Sequence, residues 1–592
     1  MKKNLFYYFT VLALNFCALP ETSAFTPSNG TFKGPLSIFN EVITGKVTDD
    51  QGAPLVGASV VLEGTTKGVI TDLDGKYELS LTSIEAKGVL IVSFVGFEKQ
   101  KIPINARRAI NIILKEEGAL EQVVVVAFAT QKKATVTGAI SSISTKELIQ
   151  SPVANISNSL VGRMAGLFAV QGSGEPGNDA STLRIRGVGT FSGAADPLIM
   201  VDGIEVSNYN NIDPNEIENI SILKDASATA VYGVRGANGV LLITTKRGKT
   251  GKPQMSYTAN LALTQFTALR KNMNSYDYAR GWNEALRNDS YISGSVYTPK
   301  FSETDIEKYR TGSDPIFFPN TDWFDLVLKK QTYQTQHNLN ISGGTEKVKY
   351  FISAGFFKQD GQFNGDLIKQ FDANRKYNRY NFRSNFNFDI TKRLKASIDL
   401  SSQTENISGS NGTTVRLIEN LSRANPITSP GIIDGKIVNI PGLGISTNPL
   451  AALFIDGYTS QFRNYLQGSS RLDYDLGFIT HGLAIHGLAN YQNNNTETQT
   501  NRWTLVQYNA IKLPDNTANL VPQGIETPFT FSQNIGKNRR TYAEIGIDYR
   551  RAFGEHSVTA LLNYNQTKRV DPTLAFLIPN GYQGLVGRAT YG

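Results

Sequence analysis

The sequence predicts a mainly β chain in three parts: an N-terminal β-sandwich, a mixed α/β domain, then part of an antiparallel transmembrane β-barrel. Three observations carry this. Beyond Lys252, polar and apolar residues alternate with period two over runs of about ten, with Tyr and Phe near the run ends, as a strand with lipid on one face and a wet lumen on the other requires. No stretch past the leader reaches ~18 unbroken apolar residues, so crossing by helices is closed and crossing by a barrel is left. Between Leu160 and Gly248 the apolar bursts LFAV, PLIMVDGIEV, ISIL and GVLLITT are short and broken by Gly, Asn and Asp, which makes them strands of a compact domain.

Composition agrees. Of 592 residues, 40% are hydrophobic, 10% aromatic and 19% charged, with 53 glycines. The net charge of +8 is spread among 51 acids, and no basic cluster interleaves with aromatics, so nucleic acid is excluded as a partner.

Residues 1–24 have the plan of a secretory signal peptide: Lys2 and Lys3, an apolar core from Leu5 to Leu19, and Thr22-Ser23-Ala24 as the cleavage site. The single cysteine, Cys17, lies inside it, behind Phe16, where a lipid-anchor site needs a small residue. The mature chain is therefore expected to have no disulfide and no thiol chemistry. After a short polar leader, residues 42–115 form six or seven β-branched strands between turns such as Asp50-Gln51-Gly52 and Asp74-Gly75, a small β-sandwich. Asp72-Leu73-Asp74-Gly75 starts like a calcium loop but lacks the later ligands, and reads as a hairpin turn.

Residues 116–133, EEGALEQVVVVAFATQKK, set four valines between an acidic approach and a basic exit, with no partner strand nearby in sequence. They read as an exposed extended segment or as a buried strand of a neighbouring domain. Within the next domain, residues 134–250, helices are expected over Ser159 to Leu167 and over Asp225 to Tyr232, the second capped by Asp225. Gly172 to Gly177 satisfies G-x-G-x-x-G, yet turn residues follow where a dinucleotide site needs a helix and a βαβ unit; these glycines are expected to make a flexible apical loop or close turns.

The series LRIRGVGT (Leu183 to Thr190), DPLIMVDGIEV (Asp196 to Val206) and NEIENISILKDASATAVYGVRGANGVLLITTKRG (Asn215 to Gly248) resembles the plug domain of the SusC/RagA group of TonB-dependent outer-membrane transporters. The likeness covers nearly all of the chain after the leader. It implies plug-motif residues at Arg184, Arg186, Gly187, Asp202, Gly203, Lys224, Asp225, Tyr232, Arg235 and Gly236; each of Arg184, Arg186, Arg235 and Arg247 either pairs with acids on the inner barrel wall or is ordinary solvated charge. It makes Val123, Val124, Val125, Val126, Ala127 and Phe128 the TonB box, an edge that a periplasmic coupling protein captures by strand addition. Ala127-Phe128-Ala129 stands where the family's glycine-tyrosine-glycine is usual. The sandwich is similar to the carboxypeptidase-regulatory-like domain of that group, and carries no enzyme: none of the four histidines has a Glu three residues on, as a zinc carboxypeptidase needs.

Residues 251–592 then form an incomplete barrel. Alternating runs pair across short joins at Gly343-Gly344-Thr345, Thr391-Lys392-Arg393, Phe478-Ile479-Thr480 and Gly554-Glu555, while long polar joins separate the pairs; short joins are periplasmic and long ones extracellular. About ten strands are visible, whereas a plug needs the 22-stranded class, so the chain is expected to be the N-terminal part of a longer transporter. His481 and His486, five apart on one strand, face opposite ways and share no metal. Trp282, Trp323, Tyr458 and Trp503 in the loops either stack on a ligand or pack internally.

The resemblance implies active nutrient import with no catalysis and no cofactor: an oligosaccharide or oligopeptide as ligand, TonB and a SusD-like surface lipoprotein as partners, and outer-membrane lipid around the barrel, with plug and sandwich on the periplasmic side. A passive porin or an adhesin needs no plug. A signal transducer needs an extra N-terminal domain, for which residues 25–41 are too few.

Overall fold

The computed structural model describes residues 40–591 apart from 50–51, 83–87, 95–96, 106, 115–122, 127–128, 133–139, 152, 190–194, 211, 442–447, 455, 555 and 571–578. The leader and part of the valine segment thus lie outside the described residues. The chain divides after Gln122 into two compact units.

The first unit is the expected sandwich. Seven strands, β1 (Asn40–Thr48), β2 (Ser59–Leu62), β3 (Gly68–Ile70), β4 (Lys76–Thr82), β5 (Val89–Ser93), β6 (Gln100–Pro103) and β7 (Ile112–Ile113), form sheets of order β4-β1-β7 and β3-β2-β5-β6. In β4 the alternation of KYELSLT buries Tyr77, Leu79 and Leu81 against Val60, Leu90, Val92 and Leu114. The Asp72 to Gly75 stretch is a turn: the Asp72 carboxylate accepts the Asp74 and Lys76 amides at 3.0 and 2.8 Å, and Gly75 sits at φ +74°, where a side chain is strained.

The second unit opens with β8 (Val123–Val126), which pairs antiparallel with β9 (Ala129–Lys132) from Val123↔Lys132 to Val126↔Ala129. This corrects the expectation of a segment without a nearby partner: the four residues after Ala127-Phe128 supply one. The other edge of β8 pairs with no described strand.

The plug follows, with β10 (Ile140–Ser144), α1 (Thr145–Leu148), α2 (Ile156–Ser159), β11 (Leu167–Gln171), β12 (Ser181–Ile185), β13 (Leu198–Val201), β14 (Ile204–Glu205), β15 (Ile217–Leu223), α3 (Ala226–Thr229) and β16 (Val240–Thr245). Its main sheet runs β10-β15-β16-β13-β14, with only the β13–β16 pair parallel, and β11-β12 is a separate ribbon. The central strands β15 and β16 bury Ile220, Ile222, Leu241 and Ile243 with Ile156 and Leu160. The helix expected over Ser159 to Leu167 lies earlier and is shorter. Gly162 and Gly166, at φ +71° and +84°, stop it, and Leu167 begins β11.

The wall is β17 (Gly251–Thr264), β18 (Thr332–Gly344), β19 (Val348–Asp360), β20 (Lys376–Asp389), β21 (Leu394–Ser410), then β24 (Tyr458–Asp475), β25 (Leu483–Arg502), β28 (Thr530–Phe553), β29 (His556–Val570) and β30 (Asn580–Tyr591), with the small loop strands β22 (Gly431–Ile433), β23 (Lys436–Asn439), β26 (Gln507–Lys512) and β27 (Ala518–Gln523) interposed. The ten wall strands pair in that order into one antiparallel sheet that does not close on itself. One face presents Tyr257, Leu261, Tyr380, Leu400, Ile547 and Leu562 outward; the other buries Gln336, Asn338, Asn381, Gln403, Asn490 and Gln492 toward the plug. Pairing runs past the expected ten residues, to 24 in β28, because the β25–β28 ladder continues without a break from Leu483↔Tyr549 to Arg502↔Thr530. No helix among the described residues is long and apolar enough to cross a membrane, which says nothing of crossing by strands.

The long joins carry α4 (Ser275–Ser293) and α5 (Glu303–Thr311), which pack together over Ala279, Ile306 and Tyr309, and α6 (Trp323–Val327), α7 (Thr414–Arg423) and α8 (Pro449–Phe454), packed with the loop strands over Trp323, Leu421, Leu450 and Phe454. Trp323 and Trp503 are buried, their indole N–H groups donating to the Asn425 carbonyl and the Glu526 carboxylate. Tyr458 packs against Phe371 and Phe529. Trp282 stays partly exposed with the Lys300 ammonium 4.6 Å from its ring centre.

Candidate functional site

The site is the seam where plug and wall meet, and most of the plug motifs hold together the plug that presents it. Asp202 and Gly203, at φ +49° and +83°, form the two-residue turn that joins β13 to β14. Both positions are left-handed, the case for which Asp-Gly is the favoured pair. The Asp202 carboxylate also accepts from the Thr245 amide (2.9 Å) and hydroxyl (2.5 Å), tying the turn to the end of β16. Arg186 and Gly187 make a second left-handed pair at the end of β12. Asp225 stands at the N-cap position of α3 in extended conformation, but its side chain makes no cap bond; it pairs with Arg186 at 2.7 Å instead. The Lys224 ammonium donates to the Ser141 hydroxyl (2.8 Å) and the Ala165 carbonyl (2.9 Å), fastening edge strand β10. Tyr232 packs against Met200, Leu223 and Leu242, and burial raises its hydroxyl pKa. Gly236 lies so close to Thr229 and Tyr232 that a Cβ there would stand 3.0 and 3.2 Å from them.

The four plug arginines divide. Arg247 does pair with the wall, forming two contacts to Asp399, one of 2.9 Å. The others pair inside the plug: Arg184 with Asp196, Arg186 with Asp225, and Arg235 with Glu205. Arg235 reaches the wall only by lying 4.2 Å over the Tyr582 ring. The main polarity of the seam is therefore the reverse of the one expected. The wall supplies the guanidiniums and the plug supplies carboxylates and carbonyls.

On β20, Arg383 meets Glu216 at 2.7 Å with both side chains almost wholly shielded, and Arg379 donates to the Ala154 carbonyl at 2.6 Å. Arg375, just before β20, faces Glu175 at 3.5 Å and the Pro176 carbonyl at 3.4 Å; Arg463 on β24 reaches the Gly177 carbonyl at 3.5 Å. Arg540 on β28 pairs with Glu205, whose carboxylate also accepts from the Tyr582 hydroxyl at 3.0 Å and whose carbonyl accepts from Gln492 at 2.9 Å. The glycine-rich apical loop is thus clamped by Arg375 and Arg463, and a Cβ on Gly177 would press on Tyr377 and Ile407. Sequence reading missed these wall arginines. Their signal was present in RYNFRSNF, where Arg379 and Arg383 share the buried face of β20 with Asn381 and Asn385.

His486 donates or accepts toward Glu544 (3.0 Å) and Asp548 (2.6 Å) on the neighbouring strand. His481 is not on that strand; it lies in the turn before β25 starts at Leu483, so the face argument does not apply to it.

Asp179, below the apical loop, is buried with one oxygen accepting from the Asn155 amide at 2.7 Å. Burial pushes its carboxyl from its ordinary 3.8 up to about 6, so the folded plug favours the neutral form. Stability from this group is full below pH 4 and is lost as pH rises through 6. Asp179→Asn is expected to flatten that dependence, raising the melting temperature relative to the parent at pH 8 but not at pH 4. At ~1.4 kcal/mol per pKa unit the gain is at most about 3 kcal/mol.

Comparison with known proteins agrees with this architecture. Residues 132–240 match the TonB-dependent Receptor Plug Domain and residues 43–126 the CarboxypepD_reg-like domain. TonB-dependent receptor P26 of Formosa agariphila is 29% identical over 577 residues, which is 94% of this chain and 54% of that protein. TonB-dependent receptor SusC of Bacteroides thetaiotaomicron is 32% identical over 363 residues, 60% of this chain and 33% of that protein. The RagAB peptide importer in its open-open state has the same fold, with a TM-score of 0.58 at 22% identity over 80% of this chain and 55% of that one. The chain spans about half the length of P26 and of the RagAB chain. These relatives are receptors and transporters, not enzymes. By sequence over most of its length, in both matched domains and in fold, the chain is similar to the SusC-like TonB-dependent receptors.

Proposed function

We propose that this chain belongs to an outer-membrane importer that takes up an oligosaccharide or oligopeptide, powered through TonB and served at the cell surface by a SusD-like lipoprotein. The observation that carries it is a plug held against a barrel wall by polar contacts rather than a continuous apolar interface, which a pull can break one by one. Capture occurs at Val123 to Phe128. Strand β8 keeps one edge free of described strands, and a partner strand can add there through backbone hydrogen bonds largely regardless of side chain. The pull then strips plug groups from the wall and opens a path. A porin or adhesin has no use for a plug domain.

Backbone recognition has a sharp test. Val125→Pro removes an amide donor and fixes φ, and is expected to abolish binding of the periplasmic domain of TonB to the full-length receptor, whereas Val125→Ile is expected to bind as the parent does. Calorimetry reads both. Equal binding by the proline variant contradicts capture at β8.

A further inference from the structure

Two arginines stand on one face of one wall strand, and a third lies just before its first residue. Arg375, Arg379 and Arg383 recur every four residues along β20 and its approach, so with side chains alternating every two they all point to the plug, about 13 Å apart. Each rung is met by a plug group: Arg375 by Glu175 and the Pro176 carbonyl, Arg379 by the Ala154 carbonyl, and Arg383 by Glu216. The middle rung is the least satisfied. Arg379 is fully buried, yet its Nε and Nη2 make no hydrogen bond among the described residues. Beside Arg383 a cavity of about 50 Å³, lined also by Glu216, Asn381, Gln403 and Gln492, leaves space for water.

The wall does not neutralise these rungs by itself. Its nearby carboxylates are Glu405, which holds Arg463 at 3.3 Å, and Asp399, whose present partner Arg247 belongs to the plug. With the plug moved away, four guanidiniums, of Arg375, Arg379, Arg383 and Arg463, face two carboxylates. A shielded guanidinium stripped of its partner is costly, and any anion entering the opened seam relieves that cost.

We propose that this face of β20 is an anion track: Arg375, Arg379 and Arg383 are successive binding rungs for the carboxylates of an acidic oligomeric nutrient, and the plug's Glu175 and Glu216 occupy two of them while the channel is closed. The track rests on the import reading above and gives its substrate a class. During passage, carboxylates of the nutrient replace those of the plug rung by rung, so the seam exchanges anions instead of exposing bare cations. A neutral oligomer gains nothing from the rungs.

The test is electrical. The full-length receptor with residues 134–250 excised is placed in a planar bilayer under a tenfold potassium chloride gradient, with triglutamate and trigalacturonate as blocking probes and trilysine and maltotriose as controls. The expected result is an anion-selective reversal potential, and block by the two acidic probes that weakens at least tenfold when Arg375, Arg379 and Arg383 are all changed to Gln. The tighter of the two acidic probes distinguishes a peptide source from a glycan source. Cation selectivity, equal block by the controls, or a triple variant that behaves as the parent overturns the track. If the excised barrel does not assemble, the intact receptor carrying Glu175→Gln, which frees the Arg375 rung, is measured for triglutamate binding with and without Arg375→Gln; a fivefold or greater loss on adding Arg375→Gln is expected, and unchanged affinity overturns the track. The current through an excised barrel needs no TonB, so a failed track with uptake still dependent on Val123 to Phe128 leaves the import reading standing.

Discussion

Replacing Arg383 by methionine in the full-length receptor is expected to unseat the plug and make the barrel conduct, while replacing Arg383 and Glu216 together by apolar residues of similar bulk restores the seal. Glu216 is 2% exposed and Arg383 9%, and they meet at 2.7 Å. Removing one partner leaves a charge in a shielded place without compensation, at a cost of about 3–5 kcal/mol; removing both is near neutral. The two substitutions are therefore strongly non-additive, and a double-mutant cycle on the open probability in a planar bilayer isolates the pair. Acid adds a check with a definite sign. Burial pushes the Glu216 carboxyl upward and Arg383 opposes it, so without Arg383 the carboxyl takes up a proton more readily still. The leak of Arg383→Met is expected to close as pH falls. A leak that is independent of pH, or a double variant that leaks as much as the single one, shows that the pair does not hold the plug.

Much of this architecture was legible because the signals were local. The wall strands follow from period two, and the hairpin joins from their turn residues. The sandwich was legible for the same reason, down to the turn at Gly75. The Asp202-Gly203 turn, by contrast, was passed over inside the run PLIMVDGIEV, although Asp-Gly between two apolar runs is the favoured pair for a two-residue turn. What else failed was non-local. Arg184, Arg186 and Arg235 could be named as motif residues, but their partners Asp196, Asp225 and Glu205 are fixed by how the plug sheet folds, and spacing along the chain does not encode that. The wall arginines stayed hidden because a polar face is ordinary for a lumen; only the plug opposite makes Arg379 and Arg383 special. The β8–β9 hairpin was missed for another reason. The run of four valines drew the reading to an isolated strand, whereas Ala129–Lys132 has no alternating pattern of its own and pairs through its backbone.

The most direct test of the central claim, that a pull on the segment before the plug drives import, is to delete Val123 to Phe128 from the full-length receptor and follow two quantities in the same cells. One is uptake of a labelled oligosaccharide or oligopeptide whose entry depends on this receptor; the other is binding of that ligand at the cell surface. The claim predicts that uptake falls to the level of cells lacking the receptor, while surface binding is kept, because the plug's seating on β20, β24 and β28 starts beyond the deleted residues at Ala154. Uptake that persists at the parental rate contradicts it.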